Sequence, residues 1–404
     1  MDDAETQDQP ALDPAAFERL QAAFAGGGAA KAADALIGEL RAAEDFNNLF
    51  YALLLKKRIE LGVSPFPTGP AADLPPHTHE PYEQTIRDAG RHVGQLFLER
   101  GQFPQAWNFY RMLGEPEPVR EALERFEPGP DADIYPIIEI AWQGGVLPKK
   151  GFDLILNRHG VCSAITTVSS SDINSNPELR DYCIGKLVRA IHEQLTERLR
   201  SDLESRGTPA SAKASIEQMC EESPELFGED AYHIDTSHLS SVCQMSLYLP
   251  AGEENALARD LCEYGRRLSP TIRGGGGDAP FEEMYEDFLP FLNVIAGVDV
   301  EDGLARFRAK AEREAAEGAT YAAQVYVNLL VRIGKLREAF EAAQEMLASE
   351  DERNLICPGV SELAKRLNDF GAMAKAARVR RDAVGFLAGL IAGSGVYPPG
   401  EPGA

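Results

Sequence analysis

The sequence predicts an all-α protein built from antiparallel helix pairs. Apolar residues recur every three or four positions in about fifteen segments of the 404-residue chain, which is the spacing of one helix face. No segment shows sustained two-residue alternation of β-branched residues, and the best strand candidate, 164–168, is short and isolated. Loops of about 2–8 residues join consecutive helices, and such short connections make neighbouring helices antiparallel.

The first helices are bounded by capping and breaking residues. Asp13 is an N-cap and Pro14 takes the first helical position, while the three glycines at 26–28 end that helix. Two helices follow, carrying Leu36, Ile37 and Leu40, and then Phe46, Leu49, Phe50, Leu53 and Leu54. Lys56, Lys57 and Arg58 close the latter, where the helix dipole favours cations. A proline-rich loop then covers 65–76.

The later helices follow the same rules. The stretch 90–113 predicts a helix, a tight turn and a second helix, ended by Gly114, and Pro118 starts another. Asn176 and Pro177 cap the longest helix, whose apolar stripe runs from Leu187 to Leu203. Pro280 opens a further helix. The other predicted helices are 134–143, 148–158, 161–168, 211–221, 235–248, 253–268, 299–316, 319–333, 335–348, 359–369, 371–382 and 384–392.

Composition shifts divide the chain into three helical regions between two tails. The turn-rich segment 127–133 predicts a boundary after an N-terminal subdomain, 13–126. A middle region, 127–297, and a C-terminal region, 298–392, follow. The polar stretches 1–12 and 393–404 are predicted to be disordered tails.

The charge balance excludes some classes of partner. The chain carries 64 acidic and 40 basic residues, a formal net charge of −24, which repels phosphate backbones and anionic lipid. We therefore expect neither nucleic acid nor a membrane surface as a partner. Basic peptides and metal ions remain compatible, as does the plain alternative that the charge serves solubility alone.

The chain is predicted to be cytoplasmic. No apolar run approaches the ~18 residues of a membrane span, and the acidic N-terminus lacks the features of a signal peptide. Six cysteines in 404 residues, with no CxxC pair, are too sparse for a disulfide scaffold. We expect them to be reduced, buried thiols.

The stretch 90–113 resembles a tetratricopeptide repeat. Gly94 and Ala106 are the small residues where two helices cross, Gly101 allows the turn, and Phe97 and Tyr110 are the large residues. Weaker matches place Gly334 with Ala339, and Gly371 with Ala376, in the same relation, with the two glycines 37 residues apart against ~34 for the family. These two copies depart from the family pattern, because Ala343 and Arg380 replace the second-helix aromatic. Any antiparallel pair with Gly and Ala at its crossing is the alternative interpretation.

The resemblance implies helix pairs stacked into an α-solenoid or superhelix, tetratricopeptide-like at both ends, with a concave face that binds a protein or peptide. First-helix positions that avoid the core would line this face: Arg91, Gln95, Gln324, Asn328, Arg332 and Lys365. Polar side chains with cations suit an acidic peptide or a C-terminal carboxylate. The alternative is that each is merely a solvated position.

His233, Asp235 and His238 form the sharpest metal candidate. The pattern His-x-Asp-x-x-His gathers three ligands of the kind that zinc and iron prefer, and Asp235 and His238 would share a helix face. The alternative makes Asp235 the N-cap of a helix whose core residues are Leu239, Val242, Met245 and Leu249.

Other motifs carry weaker chemistry. His77, His79 and Glu80 could chelate a metal, and His159 beside Cys162 could form a nucleophile pair, but surface histidines and a buried thiol are the simpler interpretations. The glycines at 274–277 lack the Lys-Ser/Thr of a phosphate loop. We interpret Glu282, Glu283, Glu286 and Asp287 as a solvated helix face, and Trp107 and Trp142 as core anchors.

These observations favour a non-enzymatic helical-repeat scaffold that binds a protein or peptide through a polar groove. A metal-binding protein or metal-dependent enzyme using the His-x-Asp-x-x-His cluster is the second hypothesis, with zinc or iron as its cofactor. A helical domain that only oligomerises is the third.

Overall fold

The structure is a computed structural model that describes residues 12–66, 74–211, 214–228, 230–274 and 276–395. These residues form nineteen α-helices and no strand, so the predicted all-α class is confirmed. The strand candidate 164–168 lies inside a helix. No helix in the described ranges has the length and apolar character needed to cross a membrane. The predicted tails lie outside the described residues, except for residue 12 and residues 393–395.

The chain divides into two compact units, Met1–Arg158 and His159–Ala404. The predicted boundaries after 126 and 297 each fall within a unit. Unit 1 contains six helices and the first part of a seventh, which crosses the division. Their bounds are α1 Pro14–Ala42, α2 Phe46–Glu60, α3 His79–Glu99, α4 Phe103–Leu113, α5 Glu117–Arg125, α6 Tyr135–Ile138 and α7 Pro148–Ser170. A short π-helical turn, Glu139–Gln143, follows α6.

Unit 2 contains the remaining twelve helices. They are α8 Pro177–Ser205, α9 Ile216–Glu222, α10 Thr236–Ser246, α11 Glu253–Arg267, α12 Pro270–Arg273, α13 Tyr285–Ala296, α14 Val300–Ala316, α15 Tyr321–Arg332, α16 Leu336–Met346, α17 Val360–Arg366, α18 Phe370–Val379 and α19 Ala383–Gly393. The predicted stripe of α8 is fully buried from Leu187 to Leu203, and this helix packs on α10 and α11.

Most helices pack on helices close to them along the chain. In unit 1, α1 packs on α2, α2 on α3 and α3 on α4. In unit 2, each helix from α13 to α19 packs on the next. The apolar residues of α13 to α17 form one continuous core, because each amphipathic helix buries its stripe against both chain neighbours.

Glycine and capping residues explain why these helices begin and end where they do. Asn176 accepts a hydrogen bond from the backbone N–H of Leu179 (3.1 Å), and Asp13 caps α1 in the same way through Ala15 (3.1 Å). Gly114 ends α4 in the left-handed conformation (φ 72°). The predicted caps and the stop at Gly114 are confirmed.

Small residues set the close crossing of α3 and α4. A Cβ atom built on Gly94 would lie only 2.7 Å from the ring of Tyr110, and Gly101 makes the turn at φ 68°. Ala106 is fully buried at the same crossing. The helix–turn–helix predicted at 90–113 therefore exists, with Gly94 and Gly101 in the expected places.

Several predictions were wrong in detail. The helix expected at Pro280 begins at Tyr285. The turn expected at Gly371 is made by Asn368 (φ 57°), and Gly371 lies inside α18. Cys162 is exposed, and the other five cysteines are buried as expected. Cys162 comes two residues after the helix break at Gly160 (φ 81°), and its side chain lies off the buried face of the helix.

Candidate functional site

A cavity of about 550 Å³ lies in unit 1 between α1, α2 and the start of α3. Its wall is predominantly apolar, with one cation and one carboxylate. The lining residues are Leu12, Phe17, Leu36, Leu40, Asp45, Asn48, Tyr51, Ala52, Leu54, Leu55, Arg58, Pro65 and Tyr82. This size and chemistry are typical of sites that hold a small apolar group beside a fixed polar one.

The cavity exists because α1 folds back on itself. Gly28 leaves the helical conformation (φ 72°, ψ −168°), which only glycine adopts without strain. Arg19 and Glu39, 20 residues apart, form a two-bond ion pair at 2.6 and 2.8 Å. In a straight helix these residues would be ~30 Å apart, so the two halves of α1 run antiparallel and together wall the cavity.

Two aromatic side chains of the lining face solvent. Phe17 is 64% exposed and Tyr51 is 62% exposed. Large aromatic rings at the rim of an apolar cavity gain the most from being covered by a partner, because burying them removes extensive apolar surface from water. The rim of the cavity therefore leaves two large aromatic rings in contact with water.

Arg58 is the unusual residue of this cavity, because it is a cation that is only 3% exposed. Its Nε donates to the hydroxyl of Tyr82 (3.2 Å) and its Nη1 donates to the carbonyl of Ser64 (3.1 Å). The guanidinium also lies 5.1 Å from the centre of the Tyr82 ring, a cation–π contact.

The partners of Arg58 are all neutral in the described part of the chain. There, no carboxylate lies within 4.0 Å of the guanidinium, and Nη2 donates no hydrogen bond. Buried charges in proteins are ordinarily paired with an opposite charge. An anionic group entering the cavity would supply that pairing.

Asp45, the carboxylate of the lining, is already occupied. It is 7% exposed and caps α2 by accepting from the backbone N–H of Asn48 (3.1 Å) and from its Nδ2 (2.6 Å). Both oxygens of Asp45 therefore hold the first turn of α2 in place. The cavity thus offers apolar contact, one cation and a carboxylate that is tied to the start of α2.

The predicted partner-binding residues of unit 1 are engaged within the protein. Arg91 donates to both carboxylate oxygens of Glu115 (2.9 and 2.7 Å) and to Asp88 (3.2 Å). The hydrogen bonding of Arg91 to Glu115 is the main reason that the pKa of Arg91 is raised. Gln95 donates to Glu99 at 3.2 Å. Both side chains are exposed, but each would have to give up a hydrogen bond within the protein in order to bind a partner.

The predicted partner-binding residues of unit 2 differ in burial. Gln324 is buried and its amide oxygen accepts from the backbone N–H of Ile356 (2.9 Å), which ties α15 to the loop between α16 and α17. Asn328 is half-buried on the same helix, and Lys365 is exposed on α17.

Arg332, also predicted to bind a partner, closes the end of α10. Its Nη1 donates to the carbonyl of Leu247, and its Nη2 donates to those of Tyr248 (3.3 Å) and Leu249 (2.7 Å). The guanidinium lies 5.6 Å from the centre of the Phe291 ring. Burial lowers the pKa of this group to about 10, so it stays charged at neutral pH.

The metal candidates serve as internal hydrogen-bonding groups. The hydroxyl of Tyr264 accepts from the backbone N–H of His233 (2.8 Å), so its own proton is free to donate to Nδ1 of His233 (3.1 Å). The opposite nitrogen, Nε2, then carries the proton that it donates to Asp202 (3.1 Å). This set of directions leaves no free lone pair on either nitrogen of His233.

Asp235 takes its predicted alternative role as an N-cap. It accepts from the backbone N–H groups of Ser237 (2.9 Å) and His238 (3.2 Å) and from the hydroxyl of Ser237 (2.6 Å). Those hydrogen bonds hold the pKa of Asp235 below its usual range, with the Ser237 hydroxyl the largest cause. In the described ranges, no three His, Cys, Asp or Glu residues are grouped so that they could hold a metal ion.

The weaker motifs are not assembled either. His79 Nε2 lies 2.7 Å from the carbonyl of Leu74, to which it donates, while His77 is exposed. His159 and Cys162 are both exposed on either side of Gly160. Within the parts of the chain that the structure describes, no hydrogen bond joins these two side chains.

The predicted solvated face at 282–287 contains a buried ion cluster. Asp287 is fully buried, and it accepts from Arg306 (2.9 and 2.7 Å), from Lys310 (2.7 Å) and from the backbone N–H of Glu283 (2.8 Å). The interpretation of Asp287 as solvated was wrong, because α14 brings two cations onto it. A cavity of about 690 Å³ lies beside Phe281 and Phe288, and Asp287 is not among its lining residues.

Sequence reasoning missed Arg58 as a site residue. The helix dipole explained the cations at the end of α2, and an exposed cation interacts with the dipole as well as a buried one does. Phe50, Leu54 and Arg58 are spaced four residues apart and therefore lie on one helix face. A cation that continues an apolar stripe is the signal that predicts its burial.

Comparisons with protein-family models, with curated proteins and with solved structures find no match. The function is therefore inferred from the site.

Proposed function

We propose that this chain is a non-enzymatic, helical-repeat binding protein that takes a segment of a partner polypeptide into the cavity of unit 1. The segment would carry a bulky apolar side chain next to a carboxylate, either an acidic residue or a C-terminus. The observation that carries this proposal is Arg58, a buried cation with only neutral partners among the described residues, in the wall of an apolar cavity.

The repeat architecture is part of the proposal. Packing of most helices on helices close to them along the chain supports helix pairs stacked as an α-solenoid. The glycine turns at Gly101 (φ 68°) and Gly334 (φ 78°), each followed by a second helix, support the tetratricopeptide-like character of those two pairs. Such arrays present binding surfaces to peptides and have no need of catalytic groups.

We favour the cavity over the predicted polar groove because the arginines of the two sites differ in the partners that they already have. Arg91 and Arg332 already donate to internal partners, so a peptide would have to displace them. Arg58 has no carboxylate within 4.0 Å among the described residues, so an anionic peptide group would gain a charge-assisted hydrogen bond without breaking one.

Site-specific photo-crosslinking tests this function. Benzoylphenylalanine replaces Tyr51 at the cavity rim, and Tyr232, which is 59% exposed in unit 2 against 62% for Tyr51, is the matched control position. In cells that express the chain, we expect discrete polypeptide adducts at position 51 and none at 232. Adding Arg58→Met should remove those adducts, because Met keeps the length of the side chain without its charge.

Two results would contradict the proposal. Equal adduct patterns at both positions would show that Tyr51 reports only random encounters. Adducts at position 51 that persist with Arg58→Met, in a variant whose tryptophan fluorescence shows unit 1 to be folded, would show that the cation does not select the partner.

A further inference from the structure

Helix α19 has two opposite faces with different roles. Its sequence, AVGFLAGLIAG, contains no charged residue. Gly385, Gly389 and Gly393 recur every four residues and lie against α18: a Cβ on Gly389 would be 3.0 Å from the backbone nitrogen of Ala374, and one on Gly393 would be 3.5 Å from Phe370. The glycine face therefore lets the two helix backbones approach closely.

The face of α19 opposite the glycines is apolar and uncovered. Val384 is 81% exposed, Leu387 57%, Leu390 51% and Ile391 41%. At about 100° per residue, Val384, Leu387 and Ile391 lie within one narrow arc that is centred about half a turn from the glycines. Their spacing of three and four residues is that of a helix–helix seam. A single exposed leucine is ordinary, whereas a continuous apolar stripe marks an interaction surface.

The charge distribution of the chain indicates what can cover this stripe. No charged side chain occurs from 383 to 395, although the whole chain carries a net charge of −24. Two copies that met over acidic surfaces would bring like charges together, which is unfavourable. At α19 two copies can meet with no charged side chain of either helix in the contact.

We propose that α19 pairs with α19 of a second copy of this chain, forming a two-fold symmetric dimer. An uncharged apolar stripe is complementary to itself, as an isologous interface requires. A lipid surface fits less well. Membrane-surface helices carry basic residues along their polar face, and α19 has none, while the acidic chain is repelled by anionic lipid.

Light scattering after size-exclusion chromatography of the full chain tests this pairing. We expect a mass of twice the 44.0 kDa chain. Val384→Glu and Leu387→Glu place like charges across the seam and should each raise the dimer dissociation constant by about tenfold or more. Both side chains are exposed, so circular dichroism should show unchanged helix content. Tyr232→Glu, an exposed change elsewhere in unit 2, should leave the dimer intact.

A wild-type chain that stays monomeric at about 100 μM, well above the dissociation constant of a micromolar dimer, overturns the proposal. Sedimentation of that monomer with phosphatidylserine vesicles would assign the stripe to lipid instead. Dimers that persist in both glutamate variants also overturn it, because they would place the interface elsewhere.

Discussion

Replacing Arg332 with alanine removes the group that closes the C-terminal end of α10. Its Nη1 and Nη2 donate to the carbonyls of Leu247 and Leu249, both in partly buried surroundings, and its charge faces the Phe291 ring at 5.6 Å. A hydrogen bond from a charged group contributes about 1.5 kcal/mol or more, and the cation–π contact adds about 0.5 kcal/mol. We therefore expect Arg332→Ala to destabilise unit 2 by about 3–4 kcal/mol.

Hydrogen exchange followed by mass spectrometry is the assay of choice. Trp107 and Trp142, the two tryptophans of the chain, both lie in unit 1, so tryptophan fluorescence does not report on α10. A loss of about 3–4 kcal/mol corresponds to exchange of the protected amides of α10 and α15 that is faster by about a hundredfold or more. Arg332→Lys should restore only part of the protection, because one ammonium group cannot reproduce the guanidinium fork.

Arg308→Ala is the matched control for Arg332→Ala. Arg308 is an exposed arginine of unit 2 that pairs with Glu312 (2.7 Å) and Glu345 (3.3 Å), and exposed pairs contribute about 0.5 kcal/mol or less. If Arg332→Ala and Arg308→Ala change exchange to the same extent, the capping role of Arg332 is refuted.

Three other substitutions test the packing and the charges. Gly94→Ala should destabilise unit 1 by about 1–3 kcal/mol, because the new methyl group meets the Tyr110 ring at 2.7 Å. Urea unfolding followed by tryptophan fluorescence measures this loss. Gly38→Ala is the control, because a methyl group there meets nothing within 4 Å. Asp287→Asn should cost unit 2 about 3–5 kcal/mol, since it leaves two cations without their buried partner; calorimetry measures the loss. Asp202→Asn should flatten the fall of thermal stability below about pH 4. The pKa of Asp202 is lowered by its hydrogen bond from Arg206 and then by that from His233, so its ionised form stabilises the fold above the unfolded-state pKa and this contribution is lost as pH falls through the folded-state pKa.

Each of these has a clear contrary result. Equal urea midpoints for the two glycine variants would show that the α3–α4 crossing can relax. A loss of about 1 kcal/mol or less in Asp287→Asn, the size of a surface pair, would show that Asp287 is hydrated. If the thermal stability of Asp202→Asn falls at low pH as steeply as that of the wild-type chain, Asp202 is not held ionised by its neighbours.

The positions of most helices follow from local signals in the sequence. Asp13, Asn176 and Asp235 cap helices because their short side chains accept from the first free backbone N–H groups. Gly114 and Gly101 end or turn helices because glycine adopts positive φ without strain. These effects depend on a few neighbouring residues, so they can be predicted without the tertiary structure.

The features that were mispredicted depend on other helices. In the sequence, Asp287 does not differ from the other three acidic residues of 282–287. It is buried because Arg306 and Lys310 of α14 pair with it. Arg58 is buried because α3 and the following loop supply Tyr82 and Ser64 as its partners. The turn before α18 is made by Asn368 and not by Gly371, because asparagine also tolerates the left-handed conformation. The preference for glycine at turns therefore predicted the wrong residue.

The pairing of helices with their chain neighbours has a consequence for how the protein folds. Contacts such as α14 with α15, and α15 with α16, close only short loops, and the entropy lost in closing a loop rises with its length. Chains dominated by such local contacts have low contact order and fold fast for their size. During synthesis, each helix pair can bury its apolar faces before the next pair has been made.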